Sequence, residues 1–168
     1  KCTAIRRAIV PRHLTDAVAA ALKARLSKIV VGDPALEGVR MGALASHAQH
    51  ADVMQKVAQL AEGNEILLSG KDGFTPRGAG TENGAFFAPT LLLCPNPTVN
   101  QNVHNIEAFG PVSTLMPYDD FEEGLHLATL GRGSLVGTLV TKTPAIAAQA
   151  VPSFAAWHGR LLVLDREA

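Results

Sequence analysis

Runs of strand-type apolar residues alternate along this chain with stretches whose apolar residues recur every three to four positions, and that alternation constrains the fold more than any other feature. Ile5 with Ala8-Ile9-Val10 reads as a short strand stopped by Pro11. Leu14, Val18, Leu22 and Leu26 then recur at helical spacing, with Thr15 or Asp16 placed to cap the helix start, and Gly32-Asp33-Pro34 closes the unit. A second helix is expected over 46–62, with Val53, Val57 and Leu60 on one face and Gly63-Asn64 able to take the left-handed closing conformation. Residues 65–68 read as a strand, and 69–83, rich in Gly, Pro, Thr and charge, as a surface loop. Strand-like runs follow at Phe86-Phe87, 90–93 and 112–116, then a helix at 121–130, a strand at 135–141, a helix at 144–156 and a strand at 159–164. Alternating strands and helices require long crossovers, which build a mostly parallel sheet covered by helices on both faces, so the expected class is α/β.

At 168 residues the chain suits one domain with one sizeable core. Its 47% hydrophobic and 18% charged residues place it far from disordered compositions. Fifteen basic residues balance fifteen acidic ones, so the long-range field that draws proteins to nucleic acid or anionic membranes is missing, and a small molecule is the expected partner. Two cysteines, Cys2 and Cys94, are too few for a disulfide framework and point to a reducing cytoplasm. No apolar run approaches the roughly 18 residues of a membrane span. The chain starts without Met and carries a chemically important residue at position 2, so both ends are expected to be cuts through a longer protein.

Several motif-like patterns have simpler readings. Gly78, Gly80 and Gly84 carry one residue too many for a dinucleotide fingerprint and suit a flexible turn. His47 and His50 could share a helix face, but no further ligand type joins them, so surface histidines are expected rather than a metal site. His13, His104, His126 and His158 are scattered without a motif. Asp119, Asp120, Glu122 and Glu123 stand where a helix dipole favours negative charge and read as a solvated capping turn. Cys94, in an apolar strand before Pro95, reads as a buried small apolar residue.

Two segments carry more. Lys1-Cys2-Thr3-Ala4-Ile5-Arg6-Arg7 resembles the nucleophile segment of aldehyde dehydrogenases, Gly-Gln-x-Cys-x-Ala-x-x-Arg, with Cys2, Ala4 and Arg7 at the matching places. About a hundred residues on, Glu107-Ala108-Phe109-Gly110-Pro111-Val112 resembles the Glu-x-Phe-Gly-Pro-Val signature of that family. Between them, Val31-Gly32-Asp33-Pro34, Met41-Gly42-Ala43-Leu44 and Gly84-Ala85-Phe86-Phe87-Ala88-Pro89-Thr90-Leu91 are similar to further family elements, so the likeness covers nearly the whole chain. Within the family, the wording around Cys2, the Glu107 run and Gly133-Ser134-Leu135-Val136-Gly137-Thr138-Leu139-Val140-Thr141 resembles the dehydrogenase half of bifunctional phenylacetate-degradation enzymes.

The resemblance implies a three-layer α/β/α catalytic domain, here partial over 1–168, whose nucleotide-binding domain lies elsewhere in the protein. It implies NAD(P)-dependent oxidation of an aldehyde, with a CoA-linked semialdehyde as substrate, NADP favoured over NAD, and a homo-oligomeric protein. Cys2 is the implied thiol nucleophile, Glu107 the partner of the nicotinamide ribose hydroxyls, and Phe109 the packing surface for the nicotinamide. Such a thiol requires nearby positive charge, for which Lys1, Arg6 and Arg7 are the expected source. The general base and the oxyanion-hole asparagine of the family lie upstream of the matched segment. Thr129 and Asp165 stand where many members have Asn. A different class of role, a non-catalytic module for subunit association, also fits a stable domain of this size.

Overall fold

A computed structural model describes residues 2–70, 73–78, 80 and 83–165. Among the described residues, six strands and five α-helices follow in the order β1 (Arg7–Pro11), α1 (Thr15–Leu26), α2 (His47–Ala61), β2 (Glu65–Leu68), β3 (Thr90–Leu93), α3 (Asn102–Asn105), β4 (Val112–Tyr118), α4 (Phe121–Thr129), β5 (Ser134–Val140), α5 (Pro144–Phe154) and β6 (His158–Leu164). Four strands form one sheet in the order β1-β4-β3-β2. β4 runs parallel to β1 and β3, while β2 is antiparallel to β3. β5 and β6 form a separate parallel pair. The α/β class and the mostly parallel pairing are as expected, with the strands divided between two sheets rather than joined in one.

Strand alternation explains the layers. Val53, Val57 and Leu60 of α2 pack on Leu92, Val112 and Met116, which project from one face of β3 and β4, and on Cys94 just beyond β3. Leu91 and Leu115 point the opposite way and are equally inaccessible, so both faces of the sheet are covered. α1 and α4 pack against strands of this sheet. Ser46 caps α2, accepting from Gln49 N at 3.1 Å, while Gln49 Oε1 accepts from N of Ala45, the residue before the cap, at 3.0 Å. Gly63 ends the unit at φ +74°. The acidic turn does cap α4: Asp120 Oδ1 accepts from Glu123 N at 2.9 Å, and Glu123 Oε2 accepts from Asp119 N at 2.7 Å.

Three expectations change. Phe86-Phe87 pairs with no strand; Phe87 is instead a core anchor, edge-on to His50 at 5.8 Å, because burial and not ladder pairing set its apolar character. Neither Thr15 nor Asp16 caps α1, since a turn of 3-10 helix at Arg12–Leu14 leads into it and Thr15 is already helical, donating from Oγ1 to Pro11 O at 3.5 Å. β4 runs on through Pro117 to Tyr118. The pairing of β3 with β4 ends at Leu93 and Leu115, so the missing N–H of Pro117 removes no bond on that side. The expected loop over 69–83 includes positions outside the described residues, as does Lys1.

Candidate active site

A turn before β1 carries Cys2, whose thiol is exposed. The two arginines that follow send their guanidinium groups to different partners. Arg6 donates from Nη2 to His104 O at 3.0 Å and from Nη1 to Ile106 O at 3.5 Å. Arg7 donates from Nη1 to Leu127 O at 3.0 Å and from Nη2 to Ala128 O at 3.5 Å, carbonyls at the end of α4, the first of which also accepts from Leu130 N at 3.3 Å. Its Nη1 also lies 3.2 Å from His104 Nδ1.

That contact fixes the state of His104. Arginine only donates, so Nδ1 accepts and the ring proton sits on Nε2, which donates to Pro97 O at 2.7 Å. His104 is therefore a neutral imidazole in the fold. Burial lowers its pKa, against the opposing bond to Pro97 and with the charge of Arg7 adding to the effect. Burial likewise lowers Arg7 to about 10, with the neighbouring charge of Arg6 contributing. Through these bonds the start of β1 is tied to the segment that leads to Glu107.

Glu107 and Phe109 lie in the loop between α3 and β4, both exposed. Three contacts hold that loop. Gln49, besides closing the cap of α2, donates from Nε2 to Phe109 O. Thr90 N donates to Pro111 O at 2.8 Å. A Cβ on Gly110 would stand 2.9 Å from Val53 Cγ2, so the loop approaches α2 more closely than a side chain at 110 would permit.

The outcome is that Cys2, Glu107 and Phe109 line one cavity of about 410 Å³. Arg6 and the turn over residues 131–135 complete its wall. Ligand pockets commonly fall between about 300 and 1,000 Å³, so the space suits a small molecule. Of the cations expected beside the thiol, Arg6 lines this cavity, Arg7 faces α4, and Lys1 lies outside the described residues. Arg132 lines it too and was not anticipated; the only signal for it was the Gly131-Arg132-Gly133 run, which marks a tight turn without saying where it lies.

Other candidates keep their plainer roles. Cys94 is fully buried, and burial raises its pKa against the opposing bond to the Asn96 backbone. His50 packs on Phe87, and no group of three or more potential metal ligands occurs among the described residues. No described helix is long and apolar enough to cross a membrane.

Comparison with known proteins establishes the family and the fold. The profile of the aldehyde dehydrogenase family matches residues 1–156. The 3,4-dehydroadipyl-CoA semialdehyde dehydrogenase of Aromatoleum evansii is 39% identical over 165 residues, covering 98% of this chain and 32% of that protein. Protein MaoC of Klebsiella aerogenes is 46% identical over 126 residues, covering 74% of this chain and 36% of that protein. The chain thus spans about a third of the length of these relatives. The solved NAD+ complex of aldehyde dehydrogenase from Bacillus cereus superposes with a TM-score of 0.83 at 24% identity, over 98% of this chain and 32% of that one, which establishes the shared fold. The chain belongs to the aldehyde dehydrogenase family.

Proposed function

We propose that this chain is the nucleophile-bearing part of an NAD(P)-dependent enzyme that oxidises an aldehyde to an acid, with Cys2 as the attacking thiol. One observation carries the reading: Cys2, Glu107 and Phe109, from segments more than a hundred residues apart, border the same cavity. The residues fit the nicotinamide end of a dinucleotide. Glu107 offers an exposed carboxylate that accepts from hydroxyl groups, and Phe109 offers a ring that is 46% exposed for an apolar face to cover.

Cys2 Sγ forms a bond to the aldehyde carbon as the carbonyl π electrons move to oxygen, giving a thiohemiacetal. Arg6, held by His104 O and Ile106 O, keeps a fixed positive charge in the cavity where that negative charge develops. A dinucleotide held by Glu107 and Phe109 would supply the hydride acceptor for that carbon. The carbon is then a thioester on Cys2; water adds to it, the C–S bond breaks, and the acid and the free thiol result. The base that activates the water belongs to parts of the protein outside this chain.

A CoA-linked semialdehyde of phenylacetate breakdown is the proposed substrate, supported by the motif wording and by the name of the Aromatoleum relative. NADP is favoured on the motif resemblance, while the Bacillus neighbour is an NAD+ complex. Association with a second subunit is supported by the β5-β6 pair, which exposes Leu135, Val140, Leu162 and Val163. The free thiols Cys2 and Cys94 support a cytoplasmic setting. The test is Cys2→Ala in the full-length protein: aldehyde-dependent reduction of NAD(P) should disappear, and turnover at the unsubstituted rate would refute the assignment.

A further inference from the structure

Gly131, Arg132 and Gly133 adopt left-handed backbone in succession, with φ of +80°, +61° and +88°. Arg132 is the sole non-glycine with positive φ among the described residues. The glycines have steric reasons to be there: a Cβ on Gly131 would stand 2.8 Å from His104 O, and one on Gly133 would stand 2.6 Å from Trp157 O. Arg132 has no such reason, and an L side chain is strained at that φ. Its exposed guanidinium makes no hydrogen bond or ion pair with a described residue. It nevertheless lines the cavity of Cys2 and Glu107.

The other nitrogen bases that line it have partners. Arg6 is engaged by two carbonyls, and the imidazole of His104 by Pro97 and Arg7. Glu107 is the cavity's one carboxylate and forms no ion pair with Arg132. The cavity therefore holds an uncompensated guanidinium on a strained backbone. We infer that Arg132 is its anion-recognition residue, taking a carboxylate or phosphate of the bound ligand. This rests on the cavity being the active site proposed above. Two ligands of that site carry the chemistry: an aldehyde with an acidic group, and the dinucleotide with its pyrophosphate.

Arg132→Gly and Arg132→Lys in the full-length protein separate the cases. Glycine takes the same backbone without strain, so folding is preserved, and lysine returns the charge. The readouts are the kcat/KM ratio for an anionic aldehyde over butanal, taken with succinic semialdehyde and with a CoA-thioester semialdehyde, and the Kd for NAD+ and NADP+ by titration, which needs no turnover. If the anion is on the aldehyde, Arg132→Gly lowers the ratio about tenfold or more and Arg132→Lys recovers much of it. If the anion is the pyrophosphate, the dinucleotide Kd rises by about the same factor instead. A ratio and a Kd both within about twofold of the unsubstituted protein overturn the inference. Cys2→Ala, measured in parallel, reports separately on the nucleophile: its retention of turnover would defeat the proposed function, while dinucleotide affinity still reads out Arg132.

Discussion

Arg7 Nη1 lies 3.2 Å from His104 Nδ1, so a half-buried guanidinium and a buried imidazole share one bond that exists only while the imidazole is neutral. Stability should follow that proton. Above the ordinary histidine pKa of about 6.5 the folded and unfolded chains are both neutral at this position. Below it the unfolded chain takes up a proton that folded His104, its pKa lowered chiefly by burial, refuses. The stability present above about pH 6.5 is thus lost progressively as pH falls. Urea midpoints measured from pH 7.5 to 5 should decline, and His104→Gln, whose amide can bond both Pro97 and Arg7, should flatten the decline. An unchanged slope in that variant would remove His104 as the cause.

Arg7 itself is expected to be structural. Arg7→Met leaves Ala128 O and His104 Nδ1 without the donor that Arg7 supplies, and Leu127 O with Leu130 N alone, and should cost about 2–4 kcal/mol in denaturant unfolding. Arg7→Lys should recover only part of this, because an ammonium cannot span the same three acceptors.

The two thiols should differ sharply in reactivity. Cys2 is exposed and Cys94 fully buried with its pKa raised by burial, so a thiol reagent should label Cys2 well ahead of Cys94 in the native protein. In denaturant the difference should collapse. Equal native rates would mean that Cys94 is reached through an opening the structure does not show.

Gly110 ties the loop of Glu107 and Phe109 to α2. Gly110→Ala would put Cβ 2.9 Å from Val53 Cγ2 and 3.1 Å from Cγ1, and should cost about 1–3 kcal/mol while weakening dinucleotide binding. Val53→Ala opens room at that point, so the double variant should be less destabilised than the two single losses combined. Strict additivity would place the strain elsewhere.

Most elements were legible because their periodicity coincides with burial: Val53, Val57 and Leu60 do form the inner face of α2. Where burial and pairing part company the reading fails, as at Phe87, which is apolar for the core without being in a ladder. α3 was illegible for another reason. Its four residues, Asn102–Asn105, are too few for a period, and the Asn-rich run, in which Asn100 Oδ1 accepts from Asn102 N at 3.1 Å, reads as a loop. At the candidate site, the motif resemblance pointed to Cys2, Glu107 and Phe109, which the fold brings to one cavity, but nothing in one sequence says that a turn at 131–135 lines it as well. That closure depends on β4, α4 and the bonds of Arg6 and Arg7, all of them long-range.

The most direct test follows the sulfur. Full-length protein is mixed with aldehyde and oxidised dinucleotide, quenched in acid during the first turnovers, digested and weighed by mass spectrometry. The peptide bearing Cys2 should gain the mass of the acyl group, and the gain should vanish in Cys2→Ala or when the dinucleotide is left out. Full turnover with no adduct on Cys2, or with the adduct on Cys94, would contradict the account.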